Sequence, residues 1–217
     1  MEKLEEIIEE IHQSFETRTK ARDQALKQAR MLTRFSANAI RAVHRNEYEL
    51  ALEHISNAQD LVDALNKNLA YHPDIYFAGY TQDAMKEFAE ASITFALINH
   101  QTLPTPSEME VEHNSYLKGL AESAGELRRK CLDILRHGHS EEAEKLLGHM
   151  DEIYSVLVTM DYPDAITGGL RRLTDIVRGI TERTRGDLTL SLRQERLEKR
   201  LKVFEKQILE ENKPPKD

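Results

Sequence analysis

Cysteine is nearly absent from this chain. One thiol, Cys131, stands among 217 residues, so no internal disulfide can form, as expected in a reducing compartment. Glycine and proline are scarce too, 15 together, which leaves few interruptions to long helices. No apolar run approaches the length that spans a bilayer. The N-terminus MEKLEEIIEEIHQ is acidic and amphipathic, without the apolar stretch of a signal peptide. No period-two alternation marks a strand. These absences argue against disulfide scaffolds, membrane spans and β architectures. The expectation is a soluble, cytoplasmic, all-α protein with no membrane partner. At 25.0 kDa the chain can bury most of its unfolded surface without a structural metal.

Common chemical signatures are missing as well. Gly168-Gly169 lacks phosphate-loop spacing. His137 and His139 flank a glycine without a third ligand at metal spacing. Neither the serines nor Cys131 carries a nucleophile signature. The Glu-x-x-His pattern of di-iron bundles does not occur.

What is present is helical periodicity. Six segments are expected: about 2–45 (continuous or broken near Ser14), 47–70, 81–99, 114–136, one starting after Ser140 as N-cap, and one from Asp164 or Leu170 to about Glu210. Pro73 disfavours helix in the residue before it, and Gly138 offers a C-cap. The connections predict an antiparallel bundle of about six or seven long helices. Residues 1–210 form one domain and 211–217 a disordered tail.

Two pairs of acids sit in unusual settings. Between Met85 and Ile98 the only charges are Lys86, Glu87 and Glu90, and a helix apolar on all sides is usually buried. Glu122 and Glu126 lie one turn apart among small and apolar residues, with Gly119, Ala121, Ser123, Ala124 and Gly125 open to close approach of another helix. An antiparallel pairing of these two helices would gather four carboxylates. Such a group stays ionised in a buried place only with a cation, and an all-oxygen donor set suits Mg²⁺ or Mn²⁺. Acid pairs at this spacing are also common on solvated faces, where Lys118 and Lys130 would pair with Glu122 and Glu126. Both readings stand at this point.

The net charge is −8, yet residues 17–45 hold eight Lys or Arg against one acid, Asp23. Lys27, Arg30, Arg34, Arg41 and Arg45 line one helical face, with Leu32, Ala39, Ile40 and Val43 opposite. The stripe is about 27 Å long at roughly 1.5 Å per residue, enough to follow a phosphate backbone. Arg18, Arg22 and His44 extend the candidate RNA contacts. No aromatics interleave with the cations, which favours backbone and shape recognition over base stacking. A merely solubilising face is the alternative.

These residues resemble the translin/TRAX family. Leu26-Lys27-x-x-Arg30, Ser36, Ile40 and His44-Arg45 are similar to its first helix. Tyr116-Leu117-x-Gly119-Leu120-x-Glu122-x-x-Gly125-Glu126-Leu127-x-Arg129 is similar to its most distinctive segment. Leu170-Arg171-Arg172, Asp175, Glu182 and Arg185-Gly186 look like its C-terminal helix. The resemblance spans about Phe15 to Leu190. It implies a translin-like helical fold assembling into a higher oligomer, such as an octameric barrel around RNA with the basic face inside. TRAX-type subunits carry four catalytic acids; Glu87, Glu90, Glu122 and Glu126 occupy the matching positions, with Glu122 in place of the usual Asp. The implied activity is a metal-dependent endoribonuclease, with Mg²⁺ or Mn²⁺ held by those four residues and duplex or single-stranded RNA as substrate. A non-catalytic, translin-like RNA- or ssDNA-binding protein is the alternative. The absence of a long insertion points to a compact homo-oligomer.

Overall fold

A computed structural model describes residues 2–138 and 140–211, with the side chains of 140 and 209–211 excepted. The elements are α1 (Glu2–His44), α2 (Tyr48–Asn68), α3 (Pro73–Tyr76), α4 (Gly79–Ile98), α5 (His113–Leu135), α6 (Ser140–Val158), α7 (Asp164–Thr167) and α8 (Leu170–Glu211). Six long helices and two single-turn helices thus make an all-helical bundle, with no strand among the described residues. Of the expected disordered tail at 211–217, Glu211 instead ends α8; residues 212–217, His139 and the capping side chain of Ser140 lie outside what is described. No described helix is long and apolar enough to cross a membrane.

Neither glycine nor proline occurs before Pro73, so nothing breaks α1 near Ser14, and its 43 residues run without interruption. It stops at Asn46, whose φ of +59° reverses the chain into α2. Leu32, Ala39, Ile40 and Val43 are buried, as the charge pattern requires. Gly138 takes a φ of +81° after α5, the left-handed geometry that suits glycine. Pro73 opens α3, which the sequence pattern did not separate from its surroundings.

One expectation is corrected. The helices carrying the two acid pairs, α4 and α5, run parallel, not antiparallel. Ser115 Oγ donates to Gln82 O at 3.2 Å, Gly119 faces Lys86, Ala89 and Glu90, and Lys86 Nζ reaches Glu122; the numbers rise together on both helices. The connection of residues 99–112 is a return strap rather than a tight turn. Fourteen residues between Ile98 and His113 can span about 46 Å when extended, more than the roughly 30 Å length of α4. The strap runs back beside α2: Gln59 Nε2 donates to Met109 O (3.3 Å) and Asn66 Nδ2 to Glu110 O (2.9 Å). Tyr116 Oη fixes its other side by donating to Pro104 O at 2.9 Å.

The core lies among α1, α2, α4, α5, α6 and α8, and α4 passes through its centre. Met85, Phe88, Ala89 and Ile93 are all essentially inaccessible, and each large apolar side chain contributes about 1.5–3 kcal/mol by leaving water. α4 and α5 approach closely at Gly119. A Cβ there would lie 2.7 Å from Ala89 Cβ and from the Glu90 backbone nitrogen, and 2.9 Å from Lys86 O. Gly125, six residues on, faces open space.

These two glycines predict opposite outcomes. Gly119→Ala should lower stability by about 1–3 kcal/mol through overpacking, a Tm loss of several degrees. Gly125→Ala should be neutral or slightly stabilising, because helical glycine costs backbone entropy. Thermal unfolding by circular dichroism checks both; equal effects would contradict the packing described.

Candidate metal centre and nucleic-acid interface

Gly119 brings the acidic turns of α4 and α5 together. Carboxylate oxygens of Glu87, Glu90 and Glu122 lie within 4.8 Å of one another, the spacing a single divalent ion bridges. The three differ in surroundings. Glu90 points inward, and burial is the largest influence on it; the charges of Glu122, Glu87 and Glu126 act in the same direction. Against the weaker pull of Lys86, they push its carboxyl from the ordinary 4.5 up to about 8. Glu87 and Glu122 flank it nearer the surface and share Lys86, whose Nζ lies 3.1 Å from Glu87 Oε1 and 2.7 Å from Glu122 Oε2. Burial disfavours the Lys86 charge, but hydrogen bonds to Glu122 and Glu87 outweigh it and raise its pKa.

Glu126, one turn beyond Glu122, is placed differently. Its oxygens do not join the group of three, although its charge is felt at Glu90. Its Oε2 lies 2.5 Å from His44 Nε2, and Arg129 Nη1 stands 3.7 Å away. The hydrogen bond from His44 is the main influence and holds the Glu126 carboxyl below the usual range despite partial burial. The imidazole is 4% exposed and its Nδ1 has no hydrogen-bond partner among the described residues.

His44 therefore departs from the surface role that the sequence suggested. It turns off the basic stripe toward α5 and supports a carboxylate. Lys27, Arg30, Arg34, Arg41 and Arg45 are exposed, on the side of α1 opposite its buried residues. Arg41 donates to Asn38 Oδ1 at 2.6 Å. Arg18 and Arg22 sit apart: Arg18 pairs with Asp74 at 2.5 Å and Arg22 with Asp23 at 3.4 Å. Lys130, a candidate partner for Glu126, instead donates to Asn46 Oδ1 at 2.6 Å. Asn46 is the turn residue after α1, so this bond ties the end of the stripe to α5. The stripe thus ends beside the acidic group, at Arg45 next to His44.

The donor set fits a hard divalent cation. Three carboxylates converge, one is driven toward protonation by burial and by its neighbours, and their only close counter-charge among the described residues is one ammonium. Two participants escaped sequence reasoning. Lys86 was visible as a charge but not as the bridge between the helices. The His44–Glu126 pair joins residues 82 positions apart and left no local signal.

The chain is 32% identical over 186 residues to an uncharacterized protein of Methanocaldococcus jannaschii, covering 83% of this chain and 81% of that protein. It is similar to AfC3PO solved as a complex with duplex RNA, with 32% identity and a TM-score of 0.78 over 85% of this chain and 95% of that one. For the crystal structure of AfC3PO the TM-score is 0.79 at 32% identity, over 85% and 96%. The crystal structure of apo-NeC3PO, at 20% identity and TM-score 0.78, shares the fold. A scan against protein-family models gives no match.

The raised Glu90 carboxyl gives a pH prediction. A group protonated more tightly in the folded state favours folding at low pH, and that contribution is lost as pH rises from about 4.5 to about 8. Glu90→Gln should therefore stabilise the metal-free protein at pH 9, by up to a few kcal/mol, and change little at pH 4. Unfolding curves in EDTA at both pH values test this. A larger gain at pH 4 would contradict the burial and charge assigned to Glu90.

Proposed function

This chain belongs to the translin/TRAX family, and from that premise we propose that it is a metal-dependent endoribonuclease of the catalytic, TRAX-like branch. The observation that carries the reading is the convergence of Glu87, Glu90 and Glu122 from two helices in backbone contact. AfC3PO, which is 32% identical, has been solved with duplex RNA, and that supports RNA as the substrate class here.

Glu87, Glu90 and Glu122 would hold Mg²⁺ or Mn²⁺. The ion supplies charge neutralisation at the phosphate and lowers the pKa of water. The remaining work falls to the chain itself. Glu126 stays ionised because His44 holds it, so its carboxylate is available to orient water by accepting a hydrogen bond. Lys86 Nζ neutralises Glu87 and Glu122 in the free protein and, with a cation on those carboxylates, would be free to meet a phosphate oxygen. The stripe from Lys27 to Arg45 grips phosphates rather than bases, so affinity should depend on salt and little on sequence. A homo-oligomer, such as an octamer enclosing RNA, would place several stripes around one substrate.

The binding-only alternative has one observation in its favour: Lys86 already bridges two of the acids, so the group is partly neutralised without any metal.

Cleavage of a labelled short RNA, duplex and single-stranded, in Mg²⁺, Mn²⁺ or EDTA separates the readings. The expected result is metal-dependent cutting that falls roughly a hundredfold or more in Glu122→Gln and Glu126→Gln while RNA binding persists. Salt-sensitive binding with no cutting in any metal would establish the binding-only reading. Replacing Lys27, Arg30 and Arg34 together by Ala should weaken binding to all sequences alike. It should also flatten the log–log salt dependence by roughly three; an unchanged slope would remove the stripe from the interface.

A further inference from the structure

Two helical segments extend beyond the bundle, and each carries an apolar seam that no other described residue covers. In α1 the seam is Leu4, Ile8, Ile11 and Phe15, from 42% to 61% exposed. In α8 it is Leu197, Leu201, Phe204 and Ile208, from 41% to 59% exposed. Both follow spacings of 4, 3 and 4 residues, the a/d repeat of a helix that packs against another helix. The α8 seam also lies on the far side of that helix from its buried residues Val177, Thr184 and Leu188, so its own bundle cannot reach it.

The charges are complementary. Residues 2–16 hold six Glu against Lys3, whereas residues 193–206 hold six Lys or Arg against three Glu. Their positions keep them apart within one molecule. Phe95 of α4 packs beside Ala42 and Val43, and Ala91 beside Ala39 and Ile40, so α1 runs parallel to α4 and hence to α5. Gly168 lies beside Lys118 and Arg128 bonds Thr184 and Asp187, so α8 runs parallel to α5 also. The acidic overhang therefore leaves one end of the bundle, and the basic overhang leaves the other.

We propose that the acidic α1 overhang of one copy packs along the basic α8 overhang of a second copy, as a short two-helix coiled coil between subunits. Four apolar layers per seam are too few to hold isolated helices together in water, so the contact acts between copies already brought together. The inference does not depend on the metal site.

The test uses the full chain with one added thiol in each of two variants, Ile8→Cys and Leu201→Cys. The native Cys131 is buried and its thiol is pushed up to about 11, so it stays silent near neutral pH. The two variants are co-expressed and treated with a bismaleimide of about 10 Å reach, which tolerates either helix direction. The expected product is a covalent dimer at least tenfold more abundant than from either variant alone, and reduced at high salt. Crosslinking of Leu201→Cys alone to the same extent would show a like-with-like seam and overturn the proposal; so would no crosslink in the mixture. Both positions are exposed, so circular dichroism should show the fold intact in each variant.

Discussion

The contact on which the site depends is the close approach of α4 to α5 at Gly119. Any side chain there would collide with Ala89 and with the backbone of α4. Because the backbones meet, Glu122 is held against Glu87 and Glu90 although three carboxyl groups crowd a half-buried place. Burial, with the repulsion of the neighbouring carboxylates, drives Glu90 up to about 8. The packing of Met85, Phe88 and Ile93 opposes that unfavourable arrangement from the other side of α4. The stability of the apolar core thus maintains a polar site that would otherwise spread apart.

Much of this was legible in the sequence, for identifiable reasons. Lack of glycine and proline before Pro73 announced the long α1, and the apolar surroundings of Glu87 and Glu90 marked them as out of place on an ordinary surface helix. The small residues around Glu122 signalled close helix contact, which Gly119 makes while Gly125 faces open space. The relative direction of α4 and α5 was not legible. Consecutive helices were expected to pair antiparallel, whereas hydrogen bonds from Gln59 and Asn66 lay residues 99–112 out along α2. Direction is settled by those long-range bonds, and no periodicity reports them. The same holds for His44. Its neighbour Arg45 belongs to the exposed stripe, but the helical turn of about 100° per residue points the imidazole at Glu126.

The basic face and the acidic group are coupled through the end of α1. Arg45 is the last cation of the stripe, His44 supports Glu126, and Asn46 accepts from Lys130. A phosphate backbone following the stripe would arrive where negative charge is concentrated, which is unfavourable unless a cation intervenes. Lys86 partly serves that purpose in the free protein. A divalent ion would serve it better, and this links nucleic-acid binding to metal binding in the proposed function.

The central claim, that the Glu87–Glu90–Glu122 group is a metal site, is tested most directly by calorimetric titration of Mn²⁺ at pH 7 in buffers of different ionisation enthalpy. With its pKa at about 8, Glu90 carries a proton at pH 7 and must release it to become a ligand. The account predicts binding accompanied by the release of about one proton, with both signals diminished in Glu90→Gln. Binding with no buffer dependence, or identical binding by wild type and Glu90→Gln, would contradict it.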